Sequence, residues 1–276
     1  MATLNPLISG AELEGRLGKE SLRVADCRFY LAEPARGRKE YVANHIPGSR
    51  YFSLDDDLTG VVGAGRHPLP SATAFGDFIG RSGIGPAHNV VVYDDAGGGI
   101  AARMWWMLRS LGHDRVRVLD GGWETWTAES RPTTRQVPQW PATAFDGGAD
   151  WTGVITAEQI EAARSDVLLI DAREPERYRG DVEPIDPVAG HIPGAVSVPY
   201  VGNVGPQGRF LPLEDLKSRF AVTAESDRKL VGYCGSGVTA CNNLLALAAI
   251  GRPDALLYPG SWSDWCTSGR PVATAP

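Results

Sequence analysis

One set of short motifs occurs twice in this chain, in the same order and at nearly the same spacing. Asp26 and Asp171, which stand in equivalent motifs, are 145 residues apart, and Tyr93 and Tyr233 are 140 residues apart. The matched segments are VADCR at 24–28 with LIDAR at 169–173, HIPG at 45–48 with 191–194, NVVVYDD at 89–95 with KLVGYCG at 229–235, and LDGGWETW at 119–126 with YPGSWSDW at 258–265. Self-similarity at one long interval indicates that a whole structural unit has been duplicated.

The duplication sets the domain organisation and the fold class. We expect one domain over 1–129 and a second over 154–276, joined by the Pro-, Thr- and Gly-rich linker 130–153. Short aliphatic runs alternate with predicted helices at 100–111 and 239–250, each of which is followed by a glycine. Strands that alternate with helices form parallel sheets. The chain is therefore predicted to be an α/β protein with two similar domains, each a central parallel β-sheet flanked by helices on both faces.

Composition and charge exclude several classes of protein. Lys and Arg number 27 and Asp and Glu number 33, which gives a formal net charge of −6 without any basic run that could bind nucleic acid. The longest apolar stretch, Leu244–Ile250, is far shorter than the roughly 20 residues that cross a bilayer, and the first residues lack the pattern of a signal peptide. Four cysteines without a CxxC pair indicate neither a disulfide framework nor a zinc site. We expect a cytoplasmic protein without metal, membrane or nucleic-acid partners.

A cysteine stands where a strand passes into a helix in the second half. Cys234 directly follows the predicted strand 229–233, and the segment Cys-Gly-Ser-Gly-Val leads into a helix that opens at Thr239. The N–H groups and the dipole of a helix N-terminus stabilise a thiolate, which is the reactive form of cysteine. Glycines at 235 and 237 let the backbone approach the sulfur closely. We interpret Cys234 as a nucleophile, with a buried core cysteine as the alternative.

The first half carries a different residue at the position equivalent to Cys234. Aligning Tyr93 with Tyr233 places Asp94 opposite Cys234, so we expect the first domain to be catalytically inactive. Cysteine-dependent phosphatases use a similar junction, but they need an arginine six residues after the cysteine to hold the phosphate. Here that residue is Ala240, which disfavours a phosphatase.

With its repeated HIPG segments and its CGSGVT loop, the chain resembles the two-domain rhodanese-like sulfurtransferases, which act on 3-mercaptopyruvate or thiosulfate. The resemblance implies that sulfur passes from such a small anionic donor to Cys234, forms a persulfide there, and then moves to a thiophilic acceptor. Cyanide and thiols are the implied acceptors, a thioredoxin-like reductant among them, and no cofactor is implied. The alternative is a persulfide carrier or sensor that gives its sulfur only to a protein partner.

The resemblance also implies a proton relay beside the cysteine. Ser236, His67 and Asp55 match the relay of the 3-mercaptopyruvate enzymes, in which the histidine and the aspartate come from the first domain; the two aspartates after Asp55 are alternatives to it. The repeat supports this assignment, because His67 stands opposite Phe210 and Asp55 stands opposite Val201. A polar pair in one copy against an apolar pair in the other suggests a role beyond folding.

Donor binding is expected to depend on an arginine and on the loop. The predicted donor site consists of Arg177, which matches a family arginine that holds the donor's anionic group, and of the loop residues Gly235, Gly237, Val238 and Thr239. The 3-mercaptopyruvate enzymes carry a second arginine shortly afterwards, where this chain has Ile185. The loop therefore favours 3-mercaptopyruvate and the missing arginine favours thiosulfate or another donor, which leaves the choice of donor open.

Residues that recur in both halves are interpreted as scaffold rather than as chemistry. His191 matches His45 in the HIPG segments, where turn geometry and capping explain a histidine. Arg173 matches Arg28 in the motifs that follow the first strand of each half. The four repeated tryptophans are expected to be core residues.

Overall fold

The computed structural model describes residues 5–224 and 227–274, and these residues form two compact units. The first unit contains the described residues up to Gly60, together with Pro70–Thr152 and Gly205–Phe210. The second contains Val61–Leu69, Gly153–Val204 and the described residues from Leu211 onward. Each unit thus includes one short segment from the other half of the sequence.

The first unit is built on a parallel sheet. Its described strands are β1 (Leu7–Ile8), β2 (Leu22–Asp26), β3 (Ser49–Tyr51), β4 (Asn89–Tyr93) and β5 (Val116–Leu119), in the spatial order β1-β5-β4-β2-β3. The valines of β4 are at most 1% exposed, as expected for a strand covered on both faces. At the carboxyl ends of the central strands, Asp26 is paired with Tyr93.

The second unit repeats this sheet. Its described strands are β6 (Val167–Asp171), β7 (Val196–Ser197), β8 (Lys229–Tyr233) and β9 (Leu256–Leu257), in the order β7-β6-β8-β9. This order matches β3-β2-β4-β5, and Asp171 is paired with Tyr233 just as Asp26 is with Tyr93. A single parallel bridge from Val154 to Leu257 stands where β1 pairs with β5.

Helices cover the faces of both sheets. Those of the first unit are α1 (Gly10–Glu14), α2 (Arg36–Ala43), α3 (Leu54–Asp57), α4 (Ala72–Arg81), α5 (Ala101–Ser110) and α6 (Gly122–Ala128). Those of the second unit are α7 (Ala157–Ala162), α8 (Pro175–Arg179), α9 (Leu213–Arg219), α10 (Ala221–Ala224), α11 (Ala240–Ala249) and α12 (Ser261–Trp265), with a 3-10 turn at Tyr200–Asn203. In the described parts of the chain, no helix is long and apolar enough to cross a bilayer.

The same buried ion pair lies at the end of the first central strand in each unit. In the first unit Arg28 Nη2 donates to Asp26 Oδ2 at 2.6 Å, and Tyr93 Oη donates to the same oxygen at 2.6 Å. In the second unit Arg173 Nη2 donates to Asp171 Oδ2, again at 2.6 Å. Because these charges are almost fully buried, each needs its partner. The repeated arginines therefore belong to the scaffold, as predicted.

The histidines of the two HIPG segments also have structural partners. His45 is fully buried, and its Nδ1 lies 2.6 Å from the Tyr41 carbonyl oxygen. His191 Nδ1 lies 2.8 Å from the Tyr178 carbonyl oxygen, and its ring stacks on that of Tyr178. Each imidazole thus contacts a carbonyl near the end of the preceding helix.

The predicted architecture is confirmed: each of the two units is a parallel sheet flanked by helices. The two helices predicted at 100–111 and 239–250 are α5 and α11, and each observed helix is one residue shorter at both ends. The segment predicted as the linker, 130–153, belongs to the first unit as far as Thr152. There it packs on that unit, with Trp151 Nε1 donating to the Pro70 carbonyl at 2.7 Å.

Candidate active site

Cys234 lies at the carboxyl end of β8 and is 2% exposed. Its N–H donates to Ser261 Oγ at 3.1 Å, and its carbonyl accepts from Trp262 N at 2.9 Å. Both partners belong to the start of α12, which follows β9. The backbone of the cysteine is thus fixed by the next strand–helix junction of the same sheet.

The loop after Cys234 has a shape that requires glycine at one position. Gly237 has a φ of +74°, and a β-carbon there would lie 2.4 Å from the Pro259 carbonyl oxygen. Both the left-handed backbone and the close approach exclude a larger residue. Val238 is buried, Thr239 precedes the first residue of α11, and Cys241 Sγ lies 3.5 Å from the Gly237 carbonyl oxygen. The loop is therefore tightly packed from Cys234 into the helix.

Ser261 is a strained residue that supports the loop. Its φ is +53°, a conformation that residues other than glycine rarely adopt. Gly122 stands at the matching position of the first unit and has a φ of +54°. The serine is therefore strained where a glycine would not be. Its buried hydroxyl accepts a hydrogen bond from Cys234 N and donates one to the Tyr258 carbonyl. The extra hydroxyl gives the backbone N–H of the cysteine a partner.

Replacing Ser261 with glycine is expected to destabilise the protein despite relieving the strained φ. The Cys234 N–H would be left buried without its acceptor, at a cost of about 1–3 kcal/mol. The greater backbone freedom of glycine adds about 0.5–1 kcal/mol, and we expect the two costs together to outweigh the strain released. Urea unfolding of this variant beside the native protein should show this loss. A more stable Ser261→Gly variant would contradict the role assigned to this hydroxyl.

Ser236 and His67 are brought together within the second unit. Ser236 Oγ lies 2.8 Å from His67 Nδ1, and Ser236 is 8% exposed. His67 belongs to Val61–Leu69, the segment of the first half that groups with the second unit. This segment is anchored at Arg66, whose N–H donates to Ser263 Oγ at 3.1 Å. The hydroxyl and the imidazole of the predicted relay are therefore in hydrogen-bond contact.

Arg177 lies in α8 and is held by two carboxylates of the second unit. Its Nη2 donates to Glu183 Oε1 at 2.7 Å and lies 3.5 Å from Asp186 Oδ2. Burial alone would raise the pKa of Glu183, but the hydrogen bonds from Arg177 hold it below its ordinary value. Burial also raises the pKa of Asp186, although Arg66 and Arg177 oppose that shift. Both carboxylates are almost fully buried, so they fix the direction of the arginine.

Two further positions considered from the sequence are Asp55 and Ile185. Asp55 is in the first unit, in α3, whose start is capped by Ser53, and it lines a cavity with Arg38 and Tyr51. Ile185, which stands where the related enzymes carry their second arginine, is 43% exposed. Ile185 is therefore partly exposed to solvent.

One residue near the loop was not singled out from the sequence. A β-carbon built on Gly235 would lie 2.9 Å from Nη2 of Arg66 and 3.6 Å from Nη2 of Arg177. Two guanidinium groups therefore flank the residue that follows the cysteine. Arg66 precedes His67 directly, and this proximity to a predicted relay residue is the only sequence signal that could have drawn attention to it.

The matching loop of the first unit holds an anion. Asp94 follows β4 and is fully buried. Its Oδ1 accepts from the N–H groups of Ala96 and Gly98 at 2.9 and 2.8 Å, and its Oδ2 accepts from those of Ile100 and Ala101 at 2.7 Å each. Burial raises the pKa of Asp94, and these four hydrogen bonds oppose that effect. The strand–loop–helix junction of this fold can therefore direct four N–H groups at one side chain.

Several proteins that are similar to this chain are named sulfurtransferases. The rhodanese-like domain family matches residues 9–129 and 156–268. The chain is 44% identical over 277 residues to a probable 3-mercaptopyruvate sulfurtransferase of Pseudomonas aeruginosa, covering 97% of this chain and 98% of that protein. It is 41% identical over 276 residues to a putative thiosulfate sulfurtransferase of Mycobacterium tuberculosis, covering 96% of each. A solved Escherichia coli structure, described as a 3-mercaptopyruvate sulfotransferase with the rhodanese fold, superposes with a TM-score of 0.83 at 28% identity, covering 94% of this chain and 99% of that one.

The chain belongs to the rhodanese family and contains two copies of its domain. Within that family it is an enzyme, a sulfurtransferase of the group that includes the 3-mercaptopyruvate and thiosulfate enzymes.

Proposed function

We propose that this sulfurtransferase carries the transferred sulfur as a persulfide on Cys234. A thiolate at that position attacks the outer sulfur of thiosulfate, the bond between the two thiosulfate sulfurs breaks, and sulfite leaves with the electron pair. An acceptor such as cyanide then attacks the outer sulfur of the persulfide, which gives thiocyanate and regenerates the thiolate. Each step is a nucleophilic displacement, so the cycle needs no redox cofactor.

The observation that carries this proposal is the amide-bound carboxylate of Asp94. That carboxylate occupies the position of Cys234 in the other copy of the same junction and receives four backbone N–H groups. An equivalent set of N–H groups around Cys234 would stabilise both the thiolate and the anionic outer sulfur of the persulfide. Gly235, Gly237, Val238 and Thr239 are the proposed residues of this cradle. The loop from Cys234 to α11 is one residue shorter than the loop from Asp94 to α5.

The persulfide can be observed directly. Intact mass measurement of the protein after incubation with thiosulfate should show the addition of one sulfur atom, and cyanide should remove it. Peptide mapping should place the added sulfur on Cys234. A protein that turns over thiosulfate without acquiring a sulfur, or that acquires it on another cysteine, would contradict the proposal.

With 3-mercaptopyruvate as the donor, the reaction needs a proton source. The thiolate of Cys234 takes the donor's sulfur, and the carbon–sulfur bond breaks to leave the enolate of pyruvate, which must then gain a proton at carbon. We assign this proton transfer to Ser236 and His67, which are in hydrogen-bond contact. Asp55 is the proposed third member of the relay. A histidine is suited to this step because it exchanges a proton near neutral pH.

Replacing His67 or Ser236 with alanine is expected to reduce kcat with 3-mercaptopyruvate by at least about a hundredfold, because the enolate loses its proton source. Turnover of thiosulfate should change much less, since sulfite leaves without needing a proton. His88→Ala is a matched control, because this histidine of the first unit contacts the Gly85 N–H instead. Equal losses with both donors in steady-state assays would argue against the relay.

A further inference from the structure

We infer that Arg66 and Arg177 together bind the negatively charged group of the sulfur donor, so that Arg66 supplies the second positive charge of the site. This inference rests on the proposed reaction at Cys234. It concerns donors that end in a carboxylate or a sulfonate, since a guanidinium group binds such oxygen pairs through two parallel hydrogen bonds.

The first support is the position of both guanidinium groups. Nη2 of Arg66 and Nη2 of Arg177 lie 2.9 and 3.6 Å from the position that a β-carbon on Gly235 would occupy. Gly235 is bonded directly to Cys234, so both positive charges lie within a few ångströms of the reacting residue. The missing side chain of Gly235 leaves the room that the guanidinium of Arg66 fills.

The second support is that one carboxylate orients both arginines. Asp186 accepts from Arg66 Nη1 through Oδ1, and its Oδ2 lies 3.5 Å from Arg177 Nη2. The side chain of Asp186 is only 4% exposed, and that of Glu183, the other partner of Arg177, is 3% exposed. Carboxylates buried behind the arginines hold the guanidinium groups in fixed directions while keeping the cluster close to neutral before an anion binds.

The third support is the difference in exposure between the partners. The side chain of Arg66 is 30% exposed and that of Arg177 is 12% exposed, whereas Asp186 and Glu183 are nearly inaccessible. Glu174, 3.8 Å from Arg177 Nη1, is the exposed carboxylate beside the pair. An approaching anion therefore meets the two cations before it meets Asp186.

A purely structural role for the Arg66 side chain is less consistent with the contacts. The segment Val61–Leu69 is already fastened by the main chain, through Arg66 N to Ser263 Oγ, and by the side chain of His67 on Ser236. Gly65 approaches the Gly260 carbonyl so closely that a β-carbon there would lie 2.5 Å from it. These contacts hold the segment in place without the guanidinium group.

The test compares two variants of Arg66 with a control variant that loses one positive charge elsewhere in the second unit. Arg66→Ala should raise KM for thiosulfate and for 3-mercaptopyruvate at least about tenfold with little change in kcat, because one charge-assisted contact to the donor is lost. Arg66→Lys should lie between Arg66→Ala and the native protein, because it keeps the charge but not the paired hydrogen bonds. Arg179→Ala is the control, since Arg179 is an exposed arginine of α8 that bonds to Asp181 and should leave KM within about twofold.

Binding without turnover separates this inference from the proposed reaction. Thiosulfate is titrated calorimetrically into Cys234→Ser, and into the same protein that also carries Arg66→Ala or Arg66→Lys. Weaker binding in the double variants, with an unchanged thermal midpoint, supports the inference. If Cys234→Ser is inactive but thiosulfate binds equally well with and without Arg66, then the inference is wrong while the proposed reaction stands. If Cys234→Ser still transfers sulfur, the proposed reaction fails and the inference falls with it.

Discussion

Replacing Cys234 with serine is expected to abolish sulfur transfer from both thiosulfate and 3-mercaptopyruvate. A serine hydroxyl does not displace sulfite from sulfur at neutral pH and cannot hold a sulfur atom as a persulfide. The loss in kcat/KM should be at least about a thousandfold, as for the removal of other catalytic nucleophiles. Thiocyanate formation from each donor, measured with cyanide as the acceptor, gives the result.

Cys27→Ala is the control for this experiment. Cys27 is buried in the first unit, and the repeat places Ala172 opposite it, so the second unit already shows that alanine fits this position. This variant should retain full activity. Residual activity near the native level in Cys234→Ser would mean that another residue carries the sulfur. Equal loss in both variants would point to a general loss of folding.

Replacing Asp94 with alanine is expected to cause the largest loss of stability. The carboxylate accepts four backbone hydrogen bonds, and its removal would leave these N–H groups after β4 without their acceptor, three of them in buried residues. Each such group costs about 1–3 kcal/mol when nothing replaces its partner. Local rearrangement and entering water offset part of the sum, so we expect a loss of about 3–5 kcal/mol in the free energy of unfolding.

Urea unfolding followed by tryptophan fluorescence measures this loss. Asp114→Ala is the control, because Asp114 is an exposed carboxylate of the same unit whose removal should change stability by less than about 0.5 kcal/mol. Asp94→Ala protein that still folds should keep its kcat, since the first unit holds no nucleophile at this position. A loss of stability below that expected for an ordinary surface change would mean that the N–H groups find other partners.

The fold could be predicted because the same motifs occur in both halves of the sequence. Two matched sets of strands and helices give the same parallel sheet, and the ends of α5 and α11 fall within one residue of the predicted bounds. The packing of the segment 130–153 could not be predicted from the sequence. Its composition is that of a linker, but its packing on the first unit depends on contacts such as Trp151 to the Pro70 carbonyl, which join residues far apart in sequence.

Cys234 and His67 were proposed as site residues because the two halves differ at their positions, whereas Arg66 was missed because an arginine stands there in both halves. His67 stands opposite a phenylalanine, and the structure places it against Ser236. Arg66 stands opposite Arg209, and recurrence in both halves is typical of a scaffold residue. The two arginines nevertheless have different surroundings, because Arg66 bonds to Asp186 while Arg209 bonds to Glu129. Comparison of residue types alone carries no information about which carboxylate a side chain meets.

The segment Val61–Leu69 belongs to the second unit although it lies in the first half of the sequence. A fragment cut at the sequence boundary, beginning at residue 154, would retain the nucleophile and Arg177 but would leave Arg66 and His67 behind. With the roles proposed for these two residues, we expect such a fragment to lack full activity, so that truncation does not simply reverse the duplication. An active miniature would need the nine-residue segment grafted back onto the excised half.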